Sequence, residues 1–587
     1  VLRAFKNPVH SISLISIVFL CYTIVFPLWK ILSTTFQWQA TDVGYYVGAE
    51  LGKFTTAHWV DIFTSNISKN LFFIPMSHTL QIGICVSVLA LLIGGTLAWL
   101  VTRTDLPHKK AVGFLCILPY MFPSWYKAFA WLIVFKNSRM GGTPGMLQAI
   151  TGLNPPDWLS YGFLPIVLTL SAHYYAFSYM LLSSALNSMN SSLEEMASMM
   201  GAKRVTVMRK ITLPLVLPAL LSAFILTFSK AVGTFSVPSF LGSPVRYTTI
   251  STMIYSSIKS AKPVEGYLLS LILILLAALI ILVNQKMTSR KNYAMIGGKD
   301  GRKTYVSLGK WQPFISALVW LFIFVAAIFP FVLVWQTFML RSGNYGVDNF
   351  TLHYWIGESN KAIASGDVGV LRNTRILSAL KNSVVMSVAG ALIAAFIGLI
   401  IGYAVVRGSG SKLSRMIDQL TFIPHLIPSI AFSAVYLAIF AKKSPFIPAL
   451  YGTLGLLILI TVVKQLPFAT RSGTSTMILI GKELEEAGLI QGANWFQRFR
   501  RILLPLCNEG LVSSFILVFI SAMKELDLIL LLITPKTYTL TALTFDYAGK
   551  GYDQLADAMV TIVIVIIVIV YFAAIKIGKA DISKGVG

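Results

Sequence analysis

Twelve runs of apolar residues divide the chain. They lie near 11–32, 73–101, 112–135, 161–186, 214–239, 266–284, 313–339, 382–406, 417–440, 447–471, 508–533 and 555–575. Most approach the roughly 20 residues that a helix needs to cross a bilayer core. A segment in lipid must satisfy its own backbone hydrogen bonds, so each run predicts a helix. The first run follows a short basic flank, as a secretory leader would. It is long for a leader and no small-residue cleavage site follows, so it predicts the first span. The most basic connection, Lys286 to Lys310, is rich in Gly, Lys and Arg and predicts a linker between two halves.

The two halves repeat each other. Arg103 ends the second run as Arg407 ends the eighth. LPYMFP from Leu118 answers IPHLIP from Ile423, with both prolines in register. FILTF from Phe224 answers FILVF from Phe515, and Pro244 answers Pro535, at an offset of 291 residues. A repeat of this length predicts a duplicated bundle. Six runs per half is an even number, so both copies enter the membrane from the same side. The expected fold is an all-α, polytopic membrane protein of about twelve transmembrane helices in two homologous six-helix halves.

Composition agrees. Of the 587 residues, 56% are hydrophobic and 12% charged, against about 25% charged in a soluble domain. Mean hydropathy is +0.74. The net charge of +25 reads first as membrane orientation rather than as affinity for nucleic acid. With the amino terminus in the cytoplasm, Lys and Arg are about twice as dense in the inner segments as in the outer ones. Both termini are therefore expected to be cytoplasmic. The four cysteines show no paired spacing, which suggests neither a disulfide framework nor a zinc site. No Gly-x-x-x-x-Gly-Lys-Ser/Thr loop, His-Glu-x-x-His pair or nucleophile constellation is present, so the chain is not expected to be an enzyme or to hydrolyse ATP itself.

One charged interlude interrupts each half on the inner side. EEMASMMGAKRVTVMRKITLP starts at Glu194, and EEAGLIQGANWFQRFRRILLP starts at Glu485. Glu195, Gly201, Ile211 and Pro214 recur as Glu486, Gly492, Ile502 and Pro505 with equal spacing. The first residues favour a short helix. The glycine permits a tight reversal, and the Leu-Pro step starts the next membrane helix. Each interlude predicts a small helix held across the inner face.

This pattern resembles the EAA loop of binding-protein-dependent ABC importer permeases. Glu195-Met196-Ala197 and Glu486-Ala487-Gly488 stand where that family has Glu-Ala-Ala. The resemblance covers two permease modules, 75–284 and 379–572. It leaves a first helix and outer loop at 1–72, a basic cytoplasmic linker at 285–312, a seventh helix and outer loop at 313–378, and a cytoplasmic tail at 573–587. It implies that the loops insert into two copies of a cytoplasmic ATPase, which binds ATP and Mg in place of any cofactor on this chain. It further implies an extracytoplasmic substrate-binding protein and a bacterial inner membrane. Glu195, Ala197, Gly201 and Pro214, with Glu486, Ala487, Gly492 and Pro505, become the coupling candidates. AVGTFSVPSFLGSP from Ala231 and MKELDLILLLITP from Met523 resemble ferric-iron permeases. Permeases for thiamine, polyamines and aminoethylphosphonate are similar as well.

Charged and polar residues within the runs are the pathway candidates. Lys524, Glu525 and Asp527 are expected near the outer end of the eleventh span, with Lys524 and Asp527 paired on one helix face. Lys230 lies in the fifth span, and His173 and Lys464 are repeat equivalents in the fourth and tenth. The residues alone also allow an ion-coupled secondary transporter, with Glu525 and Asp527 relaying protons.

Overall fold

A computed structural model describes residues 8–44, 46–137, 143–189, 192–289, 305–363, 366–441 and 448–578. Parts of the linker at 285–312 and the tail at 573–587 lie outside them. Among the described residues, helices dominate and only isolated bridges occur as β structure. Nine helices among the described residues are long and apolar enough to cross a membrane, and two bent helix pairs make eleven if each pair is one span. The remaining expected span, 112–135, is occupied by the helices Lys109–Met121 and Ser124–Phe135.

The spans expected at 112–135 and 417–440 are not continuous. Each breaks at the second proline of its repeated motif. Phe122 and Ile427 leave helical geometry, with ψ of 162° and 125°. Pro123 and Pro428 then begin the next segment. Proline disfavours helical backbone in the residue before it and offers no N–H to the preceding turn. The second pair, Lys412–Leu426 and Ser429–Phe440, bends by 105°.

Proline also explains the π-helical turns. Five occur among the described residues: Cys21–Val25, Lys69–Phe73, Met208–Thr212, Phe324–Ile328 and Phe499–Leu503. Each ends two residues before a proline: Pro27, Pro75, Pro214, Pro330 and Pro505. A proline ring clashes with the carbonyl four residues back and cannot hydrogen-bond to it. Widening the turn relieves the clash. Leu213 N–H then reaches Met208 O, and Leu504 N–H reaches Phe499 O.

The chain forms two compact units. One gathers the described residues of Val1–Ser68, Ile254–Ile274 and Leu352–Gly587; the other holds Lys69–Met253 and Leu275–Thr351. In the second unit Lys69–Arg103 packs along Phe163–Ser188, and Leu213–Gly233 touches both. Gly94 permits this approach, since a Cβ there would meet Tyr175 O at 2.5 Å. In the first unit Thr374–Arg407 packs along Leu454–Leu479 in the same way. Cβ atoms at Gly398 and Gly402 would collide with the backbone of Ala469 and Gly473.

Within each unit, the solitary helix packs on the copy that does not directly follow it in sequence. Pro8–Leu20 lies on Thr374–Arg407 and Lys412–Leu426, and Phe26–Thr35 lies on Ser429–Phe440. Tyr436 donates to Thr23 O at 2.9 Å. Conversely, Gln312–Ile323 and the turns after it pack on Lys109–Met121 and Ser124–Phe135. Phe322 meets Tyr175, and Phe331 meets Phe122. Each broken hairpin is thus covered by the helix that precedes the other copy.

Candidate functional site

The charged interludes fold as short helices, Ser192–Met199 and Glu483–Ile490. Gly201 and Gly492 follow with φ of +81° and +80°. Nothing lies within 4 Å of a Cβ built on either glycine, so conformation and not space selects glycine there. The two reversals match in dihedral as well as in sequence.

One ion pair holds each short helix to its bundle. Arg103 Nη1 lies 3.3 Å from Glu194 Oε2, and Arg407 Nε lies 2.6 Å from Glu485 Oε1. Each arginine also donates to the carbonyls that end the neighbouring span. Arg103 Nη2 reaches Leu186 O at 2.9 Å and Met189 O at 3.2 Å. Arg407 Nη2 reaches Ile480 O at 3.1 Å. The carboxylate lies in the first turn of the short helix, where the helix dipole favours it. One guanidinium thus ties the carbonyl end of one helix to the amide end of the next. Thr212 adds a hydrogen bond to Glu194, and Tyr403 donates to Glu485 Oε2 at 3.1 Å.

The coupling candidates sit around this clamp. Glu195 and Ala197 are half-buried, while Gly201, Glu486, Ala487 and Gly492 are exposed. Pro214 is half-buried and Pro505 exposed, each just after its π turn. The inward-facing glutamates are Glu194 and Glu485, one residue before the candidates read from the motif. Arg103 and Arg407 were visible as repeated span ends, but nothing local in sequence joins them to those glutamates.

Large apolar side chains are exposed at the C-terminal end of each short helix. Met199 and Met200 are 87% and 89% exposed, and Ile490 is 86% exposed. Met199 and Ile490 are repeat equivalents. Behind the second helix, Phe499, Leu503, Cys507, Met477 and Tyr403 form a buried cluster.

The pathway candidates fall in two places. Lys464 Nζ donates to Pro424 O at 2.9 Å and to Ile427 O. Pro424 O is the acceptor that Pro428, lacking an N–H, leaves open. His173 is buried beside the corresponding break, its ring 6.0 Å from Tyr120 and 5.0 Å from Tyr174. Lys127 enters the same region and donates to Ala172 O. Lys230 is half-buried in the last turn of Leu213–Gly233, and its carbonyl accepts from Thr234 Oγ1 at 2.9 Å.

The acidic group lies elsewhere than expected. The eleventh helix ends at Met523, not 533, so Lys524, Glu525 and Asp527 lie in the turns beyond it and not on a helix face. Glu525 Oε1 accepts from Leu528 N–H at 3.1 Å, and its carbonyl accepts from Thr541 Oγ1 at 2.8 Å. Both bonds lie beyond the last helical residue and fix the turn that follows it. Among the described residues, no group of three or more His, Cys, Asp or Glu could hold a metal ion.

Comparison with known proteins gives concordant results. The family model described as "Binding-protein-dependent transport system inner membrane component" matches residues 90–288 and 394–579. A ferric transport system permease protein FbpB of Actinobacillus pleuropneumoniae is 26% identical over 80% of this chain and 66% of its own length. An Fe(3+)-transport system permease protein FbpB 2 of Haemophilus influenzae is 26% identical over 81% of this chain and 84% of its own. The spermidine/putrescine permease PotC of Haemophilus influenzae is 28% identical over 37% of this chain and 76% of its own. The chain spans just under two thirds of the first of these relatives.

Proposed function

This chain belongs to the inner membrane components of binding-protein-dependent transport systems, and on that premise we propose that it is the permease of an ATP-driven importer of ferric iron. Both copies of the module lie in one polypeptide, so one chain supplies both halves of the gate. In this reading the short helices Ser192–Met199 and Glu483–Ile490 face the cytoplasm. Each enters a groove on one of two ATPase subunits, which hold ATP and Mg. An extracytoplasmic binding protein delivers cargo to the opposite face.

The observation that carries this reading is the duplicated clamp. A lever must transmit force without pivoting freely at its root. Arg103–Glu194 and Arg407–Glu485 join each short helix to the end of a long one, at side-chain exposures of 6% and 19%, and 8% and 11%. The apolar residues Met199, Met200 and Ile490 are left for a partner to cover. Closure of the ATPase pair would draw the two levers together and move the long helices packed behind them.

The relatives named for ferric transport, which align along most of this chain, support ferric iron as the cargo. Lys230, His173, Lys464 and the Lys524–Asp527 turn remain the pathway candidates. The test is a reconstituted complex with its ATPase and binding protein. Met199→Glu with Ile490→Glu is expected to cut cargo-stimulated ATPase activity at least tenfold while the permease stays folded. Undiminished stimulation would remove the lever assignment. Radioactive ferric uptake that is unchanged when the gene is deleted, with polyamine or phosphonate uptake lost, would reassign the cargo.

A further inference from the structure

A cavity of about 400 Å³ lies in the unit that contains the second copy, lined by Tyr255, Lys259, Tyr538, Phe545, Asp546 and Lys550 among others. Its walls come from two repeat-related helices, Ile250–Lys259 and Leu540–Gly549, and from the turns at 530–538. At the offset of 291 residues, Lys259 corresponds to Lys550, and Asp546 corresponds to Tyr255. The duplication therefore brings two lysines to one cavity but only one carboxylate.

That carboxylate is already engaged. Asp546 Oδ2 lies 2.8 Å from Lys550 Nζ and 3.3 Å from Arg375 Nη2. Arg375 also lies over the Tyr538 ring at 5.3 Å. Lys259 Nζ is 5.8 Å from the Tyr255 ring centre, and no carboxylate pairs with it among the described residues. Two lysines and one carboxylate thus line the cavity, and Arg375 meets that carboxylate from outside the lining. Arg375 stands in the first turn of Thr374–Arg407, where the helix dipole disfavours a cation. Arg407, at the other end of that helix, belongs to the lever clamp. The cavity and the clamp are separated by about 48 Å along this helix, at 1.5 Å per residue. In the proposed orientation the cavity opens on the outer face, where the positive-inside rule disfavours cations.

We propose that this cavity is a binding site for a small oxyanion, carboxylate or phosphonate in character, at the outer mouth of the pathway. An excess of positive charge in a concave site raises the local concentration of anions. Ammonium groups and tyrosine hydroxyls supply charge-assisted hydrogen bonds to carboxylate or phosphonate oxygens, and the volume suits a small molecule. The same field repels a bare trivalent cation. Resting on the importer reading, the site assigns the cargo to an anionic class: ferric iron enters as a complex with an oxyanion ligand.

The experiment is titration of the full chain in phosphatidylcholine nanodiscs with citrate and with inorganic phosphate, followed by calorimetry. Binding of at least one anion is expected, weakened at least tenfold in K259Q/K550Q and restored in K259R/K550R. No binding to the wild type, or undiminished binding to K259Q/K550Q, would overturn the proposal. A lipid headgroup phosphate has the same chemistry. If phosphatidylglycerol nanodiscs abolish citrate and phosphate binding, the site belongs to lipid and the cargo assignment fails; unchanged binding supports it. ATPase coupling is read separately. Lost coupling with intact anion binding refutes the importer reading alone, and the converse refutes the site alone.

Discussion

At the scale of single residues, two glycine classes separate cleanly. Gly492 has φ of +80° and open space around it, so Gly492→Ala is expected to cost only about 1–2 kcal/mol of backbone strain. At Gly473 a Cβ would lie 2.5 Å from Gly398 O, so Gly473→Ala must push two helices apart and should lower the melting temperature further. Thermal unfolding of both variants in one detergent checks the order. Arg407→Met leaves Glu485 nearly buried without its cation, and a loss of about 3–5 kcal/mol is expected. Replacing both partners by leucine should cost less than the single change, and chemical denaturation of the three proteins measures the difference. Asp105 adds a pH-dependent contact. Its carboxylate accepts from Leu308 N–H and Ser307 Oγ, and these bonds hold it below the ordinary value of 3.8. The stabilisation is complete above that value and is lost as pH falls through the lower, folded one. Hydrogen exchange at Leu308, relative to its intrinsic rate at each pH, should therefore quicken only below pH 3.8. In Asp105→Asn it should be faster at neutral pH.

At the scale of elements, proline decides the geometry. Lys464 replaces the donor that Pro428 cannot provide to Pro424 O. Lys464→Met should leave buried carbonyls open and destabilise the protein by about 1–3 kcal/mol for each one unsatisfied, whereas Lys464→Arg should largely rescue it. Loss of transport without loss of stability would instead favour a pathway role for Lys464. The π turns are local consequences of the same residue. In Pro505→Ala the clash with Arg501 O disappears, and Phe499–Leu503 is expected to close to regular helix. Closure removes the extra residue of that turn and rotates everything before it, including the short helix. Under the proposed coupling role, disulfide cross-linking between Glu483–Ile490 and an ATPase subunit should therefore weaken, even though Pro505 lies outside that helix.

At the scale of the whole molecule, the exchange of solitary helices makes a directional prediction. Pro8–Thr35 covers the hairpin of the second copy, with Tyr436 bonded to Thr23 O. Removal of residues 1–56 should therefore increase hydrogen exchange in Ser429–Phe440 more than in Ser124–Phe135. Equal effects on the two hairpins, or a larger effect on the first, would contradict the packing. The exchange also bears on the linker between the halves: cutting it leaves each copy's hairpin dependent on a helix from the other fragment.

Much of this organisation was legible in order of residues alone. Apolar run length and the duplicated Glu, Gly and Pro spacing are properties of short stretches, and bilayer thickness and backbone hydrogen bonding convert them into spans and short helices. Gly201 and Gly492 could be assigned their reversals because positive φ is a local demand. Partners distant along the chain were another matter. The joining of Arg103 to Glu194, of Lys464 to Pro424 O, and of Lys259 and Lys550 in one cavity required folded coordinates, because helix rotation and packing choose which side chains meet. The end of the eleventh helix at Met523 was likewise hidden by the apolar residues beyond it, which bury in turns as readily as in a helix once protein rather than lipid surrounds them.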